Sequence, residues 1–162
     1  MRWALSAFAL SLTVTASHGD TLDLYYRPGG LTDNHLTMAR QWKRQGVKIR
    51  IRDWQMSAAG LQVIYFKMIA PDSICHGVSG FNAHPAIYLH QPAHEGRPVK
   101  AYRSKIAKLL GPRNARVIGT LPWSGFKRFD PEAFGIKPCS RYAWGHGKGR
   151  TVSEATPSLY RP

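Results

Sequence analysis

Acidic residues are scarce in this sequence. Its 162 residues include 9 aspartates and glutamates against 23 lysines and arginines, a formal charge of +14. A field of that size favours anionic surfaces such as nucleic acid, anionic lipid, lipopolysaccharide or acidic glycans, and carries no specificity of its own. The denser patches, Arg40-Lys43-Arg44-Lys48-Arg50-Arg52 and Lys100-Arg103-Lys105-Lys108-Arg113-Arg116, also read as ordinary solvated helix faces. Cysteine is scarce too, with only Cys75 and Cys139, so at most one disulfide staples the chain. Beyond the first twenty residues no stretch is apolar enough to cross a bilayer. The chain has no internal repeat, which excludes a solenoid. His76, His84, His90 and His94 cluster near Cys75, and His90, His94 and Glu95 could meet at one ion, but no set of three ligands has zinc-site spacing. No pattern calls for a metal or a cofactor.

The N-terminus has a pattern of its own. Arg2 supplies a short positive region, Trp3 to Val14 form an uncharged, mostly apolar run, and Ser17-His18-Gly19 places small residues where a signal peptidase reads. An apolar run this short falls below the length of a membrane span. Residues 1–19 are therefore expected to be a signal peptide. Residues 20–139 would then form one α/β domain, and residues 140–162, rich in Gly, Ser, Thr and Pro, a mobile basic tail. A periplasmic or secreted location follows, and in that setting Cys75 and Cys139 are expected to pair. The alternatives are two free thiols, or Cys75 as a nucleophile beside His76.

Thr21–Tyr26 alternates like a strand and is broken by Arg27-Pro28-Gly29-Gly30. A helix capped by Thr32 or Asp33 follows, with Leu36, Ala39 and Trp42 on one face and Arg40, Lys43 and Arg44 on the other; Gly46 closes it. Val47–Ile51 is a second strand, parallel to the first because a helix crosses between them. Asp53–Met56 reads as a turn, and Ser57–Ala70 as a buried apolar helix ending at Pro71. Asp72–Pro85 reads as a loop, Ala86–His90 as a short strand, and Pro98–Leu110 as a basic helix closed by Gly111-Pro112. A final helical turn is expected near Asp130-Pro131-Glu132.

Three segments bear on chemistry. A Gly29-Gly30 turn after a strand can aim backbone N–H groups outward, since glycine tolerates the required dihedrals, and such donors can hold an oxyanion. Ser57 opens a helix, where the dipole favours negative charge. His90 ends a strand and can accept the serine proton. All three lie at the carboxyl ends of expected strands, where open α/β sheets place their sites. Each has an ordinary reading as well: a turn, a cap and a structural histidine.

The order Pro28-Gly29-Gly30, then Ser57-Ala58-Ala59-Gly60, then Tyr88-Leu89-His90-Gln91-Pro92 is similar to the proteolytic subunit of Clp protease and its periplasmic relatives in the Clp/crotonase-like superfamily. Phe129 to Ile136, with Asp130-Pro131-Glu132, resembles the family's closing stretch, so the likeness spans residues 21–137. It implies repeated β-α-β units around a mainly parallel sheet, Ser57 as nucleophile, His90 as base, and Gly29, Gly30 and Ala58 at the oxyanion hole. It also implies a peptide or acyl substrate and assembly into homo-oligomers. The sequence departs from the family in two respects. Where the family keeps its acid this chain reads Pro122-Trp123-Ser124-Gly125-Phe126-Lys127-Arg128-Phe129, with no carboxylate. Asp130 and Glu132 are the nearest candidates, and Asp72 and Glu95 stand further off. The Ser57–His90 interval is also long, 33 positions, with the excess in 72–85. Ser79 in that stretch is a rival nucleophile. Two readings result: an exported serine hydrolase with a Ser57–His90 dyad, or a catalytically impaired relative that acts as a basic binding or assembly module for anionic partners.

Overall fold

The computed structural model describes residues 21–77, 85–94, 97–139 and, for the main chain, 150–151. It is a mixed α/β arrangement. The order is β1 (Thr21–Leu24), α1 (Thr32–Arg44), β2 (Lys48–Ile51), β3 (Gln55–Met56), α2 (Ala58–Ile69), β4 (Ile74–His76), β5 (Ile87–Leu89), α3 (Lys100–Leu109), α4 (Gly111–Gly119), β6 (Lys127–Phe129), a 3₁₀ turn (Pro131–Phe134) and β7 (Arg150–Thr151).

The first sheet has the order β4-β2-β1-β7 and every pairing in it is parallel. The register aligns Leu22 with Ile49 and Ile74, and Leu24 with Ile51, so one face is apolar. That face joins α1 and α2 in the core, with Leu36, Trp42, Ile64 and Phe66. The next register position carries charge: Asp23 is buried beside Arg50, whose Nε and Nη2 donate to its two oxygens at 2.7 and 2.8 Å, and Arg52 adds a third bond at 2.8 Å. Burial would push the Asp23 carboxyl up, but the two guanidiniums hold it below its ordinary value. A second, smaller sheet has the order β3-β5-β6, with β3 parallel and β6 antiparallel to β5.

The segments strong in periodicity form the expected elements, and the differences have local causes. Leu31, not Thr32 or Asp33, is the cap of α1, and it makes no side-chain cap bond. At the other end Gly46, with φ +65°, donates to the Lys43 carbonyl while Val47 donates to Trp42, so the helix stops where expected. The stretch expected as a turn at Asp53–Met56 contains β3, and the expected loop at Asp72–Pro85 contains β4. Both strands are too short to show a period. Gly111-Pro112 does not end the helical region but opens α4, with proline in the first turn, where its missing N–H costs nothing. Arg150–Thr151, inside the expected mobile tail, pairs with β1; the rest of that tail, the expected signal peptide, Ser79 and Glu95 lie outside the described residues. No helix among the described residues is long and apolar enough to cross a membrane.

Cys75 and Cys139 form a disulfide, 64 positions apart, tying β4 to the segment after the 3₁₀ turn. A loop of that size predicts a loss of about 4 kcal/mol on changing both cysteines to serine, read by urea denaturation; an unchanged midpoint would contradict it. A second prediction concerns Gly60 in α2. Gly→Ala in an exposed helix stabilises by about 1 kcal/mol. Here the added methyl would lie 2.9 Å from Leu89 Cδ2 and 3.0 Å from both the Gln55 carbonyl and Ile87 Cγ2. Gly60→Ala is therefore expected to destabilise, by about 1–3 kcal/mol, in the same measurement.

Candidate active site

Ser57 lies between the two-residue strand β3 and helix α2. Its main chain adopts φ 51° and ψ −120°, and among the described residues it is the one non-glycine residue with positive φ. Such a conformation costs about 1–3 kcal/mol and persists only where surroundings over-determine it. They do so here. The Ser57 amide donates to the Tyr88 carbonyl at 2.7 Å, Met56 to the Arg27 carbonyl at 3.0 Å, and Gln55 to Ala86 at 2.9 Å. The Ser57 carbonyl accepts from Leu61, the first bond of α2.

The serine Oγ is 2.7 Å from His90 Nε2. The other ring nitrogen, Nδ1, lies 2.8 Å from the Gln91 main-chain carbonyl. A carbonyl can only accept, so Nδ1 donates to it, and in the neutral ring this leaves the Nε2 lone pair facing the serine. Gln91 is buried, with its amide on Pro122 O at 2.8 Å and its side-chain Nε2 on Leu121 O at 2.9 Å, so the carbonyl that orients His90 is itself held. The Phe126 ring meets the imidazole edge to face at 5.1 Å.

The Gly29-Gly30 turn packs directly on the serine. Gly29 has φ +101°, and a Cβ there would lie 2.9 Å from both Ser57 Cβ and the Met56 carbonyl and 3.5 Å from the Ala58 nitrogen. Gly30 has φ +147° and faces His35. Ala58 opens α2, so its N–H has no acceptor within the helix. Ser57, His90, Gly29, Gly30 and Ala58 thus come together as expected. Asp130 and Glu132 do not join them. Asp130 bonds Arg128 at 3.0 Å, and Glu132 lies 2.8 Å from His76 Nε2. Both extend from the solvent-facing side of the 3₁₀ turn, and neither is a partner of His90.

Behind the turn lies a buried polar cluster that sequence reasoning missed. Arg27 Nη2 donates to Gln62 Oε1, and that oxygen is 2.7 Å from His35 Nδ1. Burial lowers the His35 pKa below its ordinary 6.5, and the Arg27 charge, with Nη2 3.0 Å from Nδ1, lowers it further against the opposing contacts with Gln62 and Gly29. Two signals were available: His35 shares a helix face with Ala39 and Trp42, and Gln62 interrupts an otherwise apolar helix. Polar groups in such positions need buried partners.

A cavity of about 370 Å³ opens beside the pair, lined by Ser57, His90, Leu31, Leu61, Pro92 and Tyr102 among others. Among the described residues no cluster of three metal-ligating side chains occurs.

No family model matches the chain, and no curated protein matches it.

The His35 cluster predicts a pH dependence. The unfolded chain takes up a proton on His35 near 6.5, and the folded chain only at lower pH. The unfolded state therefore binds more protons in that window. The contribution is complete above 6.5 and is lost as pH falls below it. Urea denaturation from about pH 7.5 to about pH 5 should show stability falling, with a shallower fall in His35→Gln; identical slopes would contradict it.

Proposed function

We propose that the protein is an exported serine hydrolase of Clp-protease-like fold acting on a peptide or other acyl substrate. The observation that carries this reading is the 2.7 Å contact between Ser57 Oγ and His90 Nε2, made by a serine in a strained conformation at a helix start. Strain retained at such a junction serves a positioned side chain better than it serves packing. The disulfide is consistent with an oxidising, exported environment.

In this mechanism Ser57 Oγ attacks the substrate carbonyl carbon while His90 Nε2 takes its proton. The carbonyl π pair moves onto oxygen, and the Gly30 and Ala58 N–H groups hold that oxyanion, aided by the α2 dipole. Collapse of the intermediate expels the leaving group, which takes the proton from Nε2. Water repeats the sequence on the acyl-serine and restores both groups. The Gln91 carbonyl supplies the tautomer lock of the third triad member. It supplies only a dipole, not a full negative charge, for the imidazolium. A carbonyl dipole stabilises the imidazolium less than a carboxylate does, so turnover slower than that of a complete triad is expected.

The same feature favours a second reading, in which the chain keeps the shape of the site and acts as a basic module for binding anionic partners or for homo-oligomeric assembly. A fluorophosphonate probe separates the two. Labelling of the folded protein, abolished by Ser57→Ala and slowed at least about 100-fold by His90→Ala, is the expected result. Intact folded protein that stays unlabelled between about pH 6 and about pH 9 would sink the hydrolase.

A further inference from the structure

From Arg97 to Phe129 the chain has nine lysines and arginines and not one aspartate or glutamate. Helices α3 and α4 account for most of this stretch and pack on each other. Lys100, Lys108, Arg113 and Arg116 are exposed on them. The ion pairs of this stretch are peripheral: Lys105 stands 3.6 Å from Asp33, and Arg128 bonds Asp130. The α3–α4 pair runs straight into the Leu121–Phe126 turn, which carries two large rings in solvent, Trp123 at 50% and Phe126 at 48% exposure. Arg103 of α3 lies over the Trp123 ring at 6.0 Å, and Phe126 touches His90, so the turn connects the basic helices to the cavity mouth. Two exposed aliphatic side chains adjoin these elements: Val99, which directly precedes α3, and Leu31, which lines the cavity.

We propose that this face docks on an anionic lipid bilayer. Trp123, Phe126, Leu31 and Val99 enter the headgroup boundary, and Lys100, Lys108, Arg113 and Arg116 lie against lipid phosphates. A basic helix pair beside an aromatic turn is the composition that lies in such an interface. Single-stranded nucleic acid shares the charge and the aromatics but offers nothing to Leu31 and Val99, since bases stack on rings. Docking does not depend on the hydrolase reading. The consequence for substrate does rest on it: the cavity opens at the same surface, which would present Ser57 to ester or amide groups at the bilayer interface.

Sedimentation with phosphatidylcholine vesicles, with and without phosphatidylglycerol, tests this. Binding is expected only with phosphatidylglycerol, weakening as salt is raised. Lys108→Glu with Arg113→Glu should weaken it at least about tenfold. Lys43→Glu with Arg44→Glu makes the same charge change at the far end of α1, roughly 18 Å from the cavity-lining Thr32, and should stay within about twofold. Trp123→Ser with Phe126→Ser leaves the charge unchanged and should also weaken binding about tenfold. Equal losses from the two charge pairs would assign binding to net charge alone and overturn the proposal. Retention of full binding by the aromatic variant, or preferential release from vesicles by single-stranded nucleic acid, would overturn it as well. Circular dichroism confirms that each variant is folded, and Lys108→Gln with Arg113→Gln replaces a reversal that fails to fold. Fluorophosphonate labelling of the same samples keeps the two ideas apart. Labelling without docking removes the surface and leaves the hydrolase, and docking without labelling does the reverse.

Discussion

The Ser57 amide donates to the Tyr88 carbonyl, and Met56 donates to Arg27 one residue earlier. These two bonds hold β3, only two residues long, between the end of β1 and the strand β5. Gln55 adds a side-chain link, with its buried Nε2 2.7 Å from the Tyr25 carbonyl. The serine is thus placed by main chain arriving from two sheets at once. Its positive φ follows from that double attachment, as does the direction of Oγ toward the residue that ends β5. If β3 were released, Ser57, His90 and the glycine turn would lose their common frame, because each is anchored to it.

The large elements were legible because their physics is local. Alternation in Thr21–Leu24 and Lys48–Ile51, the Leu36-Ala39-Trp42 stripe and the apolar run after Ser57 each repeat a period that one face must bury. Gly29, Ser57 and His90 were legible through their places at element ends. What escaped notice was set by tertiary contact. The strands β3 and β4 are too short to show alternation and exist because a neighbouring strand offers hydrogen bonds. The α4 helix was hidden by a Gly-Pro pair that looks like a stop and is equally a permitted start. Thr32 and Asp33 have the residue types of a cap, but the cap falls one residue earlier, at Leu31, which has no capping side chain.

The lack of a carboxylate in residues 122–129 was legible; the group that meets His90 Nδ1 was not, because it is main chain. Gln91 carries no sequence mark of that role, and its side chain works at one remove, by clamping to Leu121. Arg27 is similar. Its guanidinium reaches back to Gln62 and His35 under the glycine turn. The turn is therefore supported from below by buried polar contacts and from the side by Ser57 itself, with no room for a methyl group on Gly29.

The segment bonded to Cys75 also bears on how the molecule meets its neighbours. β4 is the outer strand of the first sheet, and an outer strand left bare is a template for another chain. Here His76 donates to the Lys137 carbonyl and accepts from the Cys139 amide, so residues 137–139 lie along that rim as a cover. The sulfur bridge fastens the cover at the point where it would otherwise peel away. Oxidation therefore does more than tighten the fold: it holds residues 137–139 over hydrogen-bonding groups of β4 that would otherwise face outward.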